Sequence, residues 1–124
     1  MMITSLAGQA VTRVSFEYGI RLVFDDRSWV VIEEKFDLTQ GGQTWSVDPE
    51  IIDDNSPRVL FVLHDILVDG RYSDEGGLWL RFEKGTLVTV PPSWDYEAWS
   101  MGLAATGSML VSGPGGGGVA CFGD

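Results

Sequence analysis

Few side chains in this chain of 124 residues are equipped for chemistry. His64 is the only histidine, so a multi-histidine metal centre is excluded and any imidazole acid/base role falls on it, with Asp65 as its chain neighbour. Adjacent residues do not converge on one substrate atom unless the backbone bends them together, and His64 reads as a helix-end or surface residue. Cys121 is the only cysteine. It permits no intrachain disulfide, suits a reducing compartment and, with no base beside it to lower its pKa, reads as a small apolar core residue. No Gly-x-Ser-x-Gly elbow is present. Carboxylates abound at Asp25-Asp26, Glu33-Glu34, Asp48, Glu50, Asp53-Asp54, Asp74-Glu75, Asp95 and Glu97, yet none follows the calcium-loop order, and glycoside hydrolysis by a carboxylate pair needs a cleft of which the sequence shows no sign. The run Gly113-Pro114-Gly115-Gly116-Gly117-Gly118 lacks the Lys-Ser/Thr ending of a phosphate loop and reads as a flexible hairpin loop. The expectation is a non-enzymatic protein with no catalytic residue, no metal ligand and no cofactor.

Charge narrows the partners. Eighteen acids against eight bases leave a net charge of -10, and without a Lys/Arg cluster the chain repels nucleic-acid backbones and anionic membranes. The stretch from Asp48 to Asp54 carries four acids, Asp48, Glu50, Asp53 and Asp54, and no base. Such a patch steers a basic protein toward its site and raises the association rate. Trp45 and Trp94 lie in turn-rich sequence and are the tryptophans best placed for an exposed recognition surface. These six residues form the expected partner-binding set. A rival class is a small-molecule-binding or sensor domain with a tryptophan-lined pocket reached by Tyr96, Glu97 and Trp99. A third is a hydrolase using His64 and an acid.

The elements that must position these residues are strands. Gly19 to Ile32 aligns without gaps onto Gly77 to Val90 at an offset of 58 residues, with Arg13 and Ser15 falling on Arg71 and Ser73. In the first copy Thr12, Val14, Phe16 and Tyr18 alternate with polar residues, Ile20, Leu22 and Phe24 repeat the alternation, and Trp29 to Ile32 returns after Asp25-Asp26-Arg27. The second copy runs Ile66 to Tyr72, Leu78 to Phe82 and Thr86 to Val90, with Gly85 in its turn. Two three-stranded antiparallel meanders are expected, covering residues 11–32 and 69–90. Between them Gln40 to Asn55 is polar and acidic, and Ser56 to Leu63 suits a short helix with Ser56 as N-cap and Pro57 behind it, or a strand on the alternation of Val59, Phe61 and Leu63. A closing segment, 94–124, holds strands at Ser108 to Ser112 and Val119 to Phe122. Eight or nine short strands predict a mainly β domain over 1–124, either a small barrel or two layers. Val23, Trp29, Val31, Trp79 and Leu87 fall on the outward faces, to be covered by the helix and C-terminal segment or by a partner; monomer and homodimer both stay open. Met1 to Gln9 does not read as a signal peptide, and no apolar run approaches the ~18 residues of a membrane span, so the expected location is the cytoplasm.

One resemblance rests on Val88-Thr89-Val90-Pro91-Pro92, Tyr96-Glu97-Ala98-Trp99 and Leu110-Val111-Ser112-Gly113-Pro114-Gly115-Gly116, together with the strand pairs at Gly19 to Ser28 and Gly77 to Thr86. These resemble a family of small, largely actinobacterial, single-domain proteins of unknown function, with Gly102 to Gly107 longer than its usual turn. The resemblance brings no established activity. Some members look like the immunity proteins of bacterial toxin systems, which implies neutralisation of a basic toxin through acidic loops.

Overall fold

The computed structural model of the protein describes residues 3, 6–17, 19–114 and 118–123. Tyr18 and the glycines at 115–117, named above in a strand and a loop, lie outside them. Among the described residues the strands are β1 (Val11–Ser15), β2 (Ile20–Phe24), β3 (Trp29–Ile32), β4 (Phe36–Gln40), β5 (Gln43–Val47), β6 (Leu67–Tyr72), β7 (Leu78–Phe82), β8 (Leu87–Val90), β9 (Trp99–Leu103), β10 (Ser108–Ser112) and β11 (Val119–Phe122). A 3-10 helix, Ser56–Val62, lies between β5 and β6.

Both expected meanders form, but in different sheets. One sheet runs β1-β2-β3-β9-β10-β11 and the other β5-β4-β8-β7-β6, all pairs antiparallel. The two-layer alternative is the correct one, since neither sheet closes into a barrel. The core lies between the layers, with Leu22, Phe24, Val30, Ile32 and Met101 from one and Phe36, Leu38, Leu80, Phe82, Val88 and Val90 from the other.

The hairpins after the meanders cross over. β4 pairs with β8, setting Leu38 against Val88, and β9 pairs with β3, setting Met101 against Val30. Val30 and Val88 are repeat partners, so each half of the chain lends its hairpin to the other half's sheet. The twofold relation centres on the bridge between Ala10 and Ile66, where Val11 N–H donates to Asp65 O and Leu67 N–H to Gln9 O, both at 2.9 Å. Ser15 stands opposite Arg21 and Arg71 opposite Trp79. Arg13 and Ser15 therefore do not superpose on Arg71 and Ser73, because the turn after β1 is two residues shorter than the turn after β6.

Several expectations need correction. β5 lies within the Gln40 to Asn55 stretch read as polar, and β4, just before it, is a strand the sequence reading did not assign: Phe36, Leu38 and Val47 are buried, but the polar residues among them and the Gly41-Gly42 turn mask so short an alternation. Thr12 is exposed because the register shifts between Val11 and Arg13, a bulge that turns it off the inner face. Asn55, not Ser56, is the N-cap; the Ser56 hydroxyl accepts from Asp53 N–H at 2.9 Å and donates to Ile51 O at 3.2 Å. The helix does not cover the outward sheet face, since Val59 and Val62 point into the core. Arginines of the same chain lie over the outward Trp29 and Trp79 instead. Cys121 is exposed rather than buried, because β11 is an edge strand with a neighbour on one side only.

Candidate functional site

The two halves of the fold diverge in their connections. β3 reaches β4 through the short segment 33–35, whereas β8 reaches β9 through 91–98. A further segment, 48–55, joins β5 to the helix. These two longer connections meet beside the β1–β2 turn and enclose a cleft of about 620 Å³ lined by Phe16, Gly19, Glu33, Pro49, Glu50, Ile52 and Tyr96.

Local bonding builds each wall. Glu33 N–H and Glu34 N–H both donate to Ala98 O, at 2.9 and 3.2 Å, which lays the 91–98 segment against the end of β3. The buried Ser93 hydroxyl accepts from Asp95 N–H at 3.3 Å and Tyr96 N–H at 3.4 Å, forming the turn that carries Tyr96. Ser112, fully buried, accepts through Oγ from Ala98 N–H at 2.9 Å and Trp99 N–H at 3.1 Å. On the other wall the Asp48 carboxylate accepts from Glu50 N–H at 2.9 Å and the Asp53 carboxylate from Asn55 N–H at 2.8 Å, Asx turns that hold an otherwise irregular segment. At the floor Gly19 has φ +100°, and a Cβ there would come within 2.8 Å of Ile32 O; only glycine tolerates both the dihedral and the approach.

The cleft is apolar in wall and negative in field. Ile52 is 79% exposed and Trp94 81%. Partial burial, then Glu97, raises the Glu33 carboxyl above the ordinary carboxylate range. Tyr96 is raised by burial first, then by Glu34, Glu50, Asp48 and Asp95. Among the described residues the one ion pair is Arg71 with Asp69, so no lysine or arginine side chain is within ion-pair distance of these carboxylates. No group of three or more His, Cys, Asp or Glu among the described residues is arranged to hold a metal ion.

The residues singled out from sequence fall into three places. Glu50 and Tyr96, from two rival site proposals, both line the cleft, while Asp48, Trp94 and Glu97 lie on the same two segments outside its lining. Asp53 and Asp54 are exposed farther along the first segment. Trp45 is half-buried on β5, its ring 4.1 Å from the Arg58 guanidinium and 6.1 Å from the Phe61 ring. Trp99 is fully buried, with Nε1–H donating to Gly76 O at 2.7 Å, and lines no cleft. His64 is exposed and does not line the cleft, while both Asp65 carboxylate oxygens accept backbone N–H groups, from Ile66 at 2.8 Å and Lys84 at 3.2 Å. Sequence reasoning missed Phe16, Gly19, Glu33, Pro49 and Ile52 as site residues. The isoleucine pair Ile51-Ile52 inside an acidic loop was the available signal, because apolar residues there have no core to enter.

Both repeats and both cleft-forming segments fall within residues 2–122, the span matched by one family's sequence model. The chain belongs to DUF6188, a family of unknown function. No curated protein and no solved structure matches it. Among the described residues of this DUF6188 protein, no helix is long and apolar enough to cross a membrane.

Proposed function

We propose that this DUF6188 protein is a non-enzymatic protein-binding protein whose acidic cleft engages a basic partner, and that it acts as an immunity protein neutralising a basic toxin. The observation that carries this reading is the convergence of the 48–55 and 91–98 segments on one cleft: the Asp48, Glu50 and Asp95 carboxylates act on Tyr96, and exposed Ile52 and Trp94 stand on the same two segments. Exposed aromatic and aliphatic groups ringed by charge are the makings of an interface, with the apolar groups as anchors and the field as steering. Its placement where the two repeats differ fits a function added to a duplicated scaffold. Location in the cytoplasm accords with the reading.

The test is capture of partners from the source organism at graded salt. The reading requires a protein of high pI whose binding weakens as salt rises and is lost in an Asp48→Lys, Glu50→Lys variant that keeps its fold. Salt-insensitive capture, or capture unaffected by the charge reversal, sinks it. The immunity role further requires a toxin encoded beside this chain. The cleft volume supports a second reading, a small-molecule-binding or sensor domain, since about 620 Å³ is within the range of ligand pockets; a thermal-shift screen of metabolites that finds a ligand displaced by Tyr96→Ala would favour it.

A further inference from the structure

Three of the five tryptophans show how this protein treats an indole at its surface. The Arg21 guanidinium lies 5.2 Å from the Trp29 ring centre, that of Arg58 4.1 Å from Trp45 and that of Arg71 5.7 Å from Trp79. Trp99 is sealed in the core with its N–H bonded. Trp94 is the exception: it is 81% exposed and, among the described residues, carries no guanidinium. It stands two residues before Tyr96, on a segment whose carboxylates also have no cationic partner.

The two vacancies call for the same chemistry. A guanidinium stacks on an indole face and also takes carboxylates through paired N–H donors, whereas an ammonium offers a point charge and no planar face. The cleft of about 620 Å³ has room for a stretch of chain, and its Phe16, Ile52 and Tyr96 walls suit the methylene stems of long basic side chains. A second copy of this chain is an unsuitable occupant, since each carries -10.

Resting on the protein-binding reading above, we propose that the cleft receives an arginine-bearing segment of the basic partner, with one guanidinium over Trp94 and the flanking residues between Ile52 and Tyr96. The probe is a synthetic pentapeptide, acetylated and amidated, with arginine at its second and fourth positions among glycines, titrated calorimetrically into the whole chain at low salt. Matched peptides carry lysine or citrulline, the uncharged isostere of arginine, and spermidine serves as a free polyamine. The arginine peptide is expected to bind about tenfold or more tightly than the citrulline peptide and about threefold or more tightly than the lysine peptide. Trp94→Ala and Glu50→Gln, both at exposed positions where folding is not at stake, are each expected to weaken it about fivefold, and Glu83→Gln in the distant β7–β8 turn to leave it unchanged. Equal affinity for arginine and citrulline, spermidine binding as tightly as the arginine peptide, indifference to Trp94→Ala, or no binding at millimolar peptide would each overturn the proposal. If a captured partner is lost from the Asp48→Lys, Glu50→Lys variant but retained by Trp94→Ala, the arginine proposal falls and the protein-binding reading stands.

Discussion

Ser112 links the stability of the fold to the shape of the cleft, and replacing it tests both. Its buried hydroxyl is the acceptor for two backbone N–H groups, those of Ala98 and Trp99, at the point where the 91–98 segment enters β9. In the first half of the chain Val47, opposite Phe36, holds the corresponding place; there the connection before the strand is short and needs no such acceptor. Ser112→Val therefore installs the residue its own repeat partner uses, filling the volume and removing only the oxygen. A buried N–H left without a partner costs about 1–3 kcal/mol, so two cost roughly 2–4 kcal/mol after partial relaxation, and the added methyl groups return about 1–2 kcal/mol by apolar burial. The expected net loss is about 1–2 kcal/mol for Ser112→Val and roughly 2–4 kcal/mol for Ser112→Ala. With a denaturant slope of about 2 kcal/mol per molar urea, the midpoint for Ser112→Ala should fall by about 1–2 M. Amide exchange at Ala98 and Trp99 should quicken more than at Val30 or Val88. If Ser112→Val left the urea midpoint unmoved and exchange at Ala98 unchanged, the two N–H groups would have another acceptor, and the hydroxyl would not be what seats the cleft wall.

Two further substitutions, at His64 and Glu33, report on the junction between the repeats and on the cleft. His64 has φ +67° at the position matched by Gly8 in the first half, where φ is +88°, and each donates its N–H to the partner repeat, to Val11 O at 2.7 Å and Leu67 O at 2.8 Å. Relief of a left-handed side chain by about 1–2 kcal/mol, less roughly 0.5–1 kcal/mol for glycine's greater unfolded freedom, predicts that His64→Gly is neutral to modestly stabilising in urea denaturation and that partner binding persists; lost binding would place His64 in the function. Glu33 supplies the pH test. Its folded pKa is raised, by burial and then Glu97, so its ionisation opposes folding above that pKa and the effect vanishes below its unfolded value of about 4.3. Glu33→Gln should be more stable than the parent at neutral pH, by a few tenths of a kcal/mol given the exposure of the site, and equal to it at about pH 3.5; a variant less stable at neutral pH would contradict the assigned field.

Legibility followed the length of each pattern. The meanders were readable because Ile20, Leu22 and Phe24, and Leu78, Leu80 and Phe82, alternate over whole strands and recur at one offset. β4 and β5 escaped notice because their inward apolar residues are few and end in Gln40 and Gln43 on the same face. The acidic 48–54 segment with Trp94 was visible as one candidate site and Tyr96 with Glu97 as another, for a different function, since nothing along the chain says that Glu50 and Tyr96 line one cleft. Phe16 gave no functional signal because an isolated apolar residue reads equally as core, whereas the Ile51-Ile52 pair in an acidic loop carried one.

The sequence alone determined the net charge of -10 and how the strands begin, since these follow from composition and from the two-residue period of a strand. Which sheet each later hairpin joins was decided only in three dimensions, because the exchange of hairpins between halves depends on burying both inner faces at once. The cleft was decided there too. Glu33, Glu50 and Tyr96 share one site because the 91–98 segment is bonded along the end of β3 by backbone groups whose partners no sequence names.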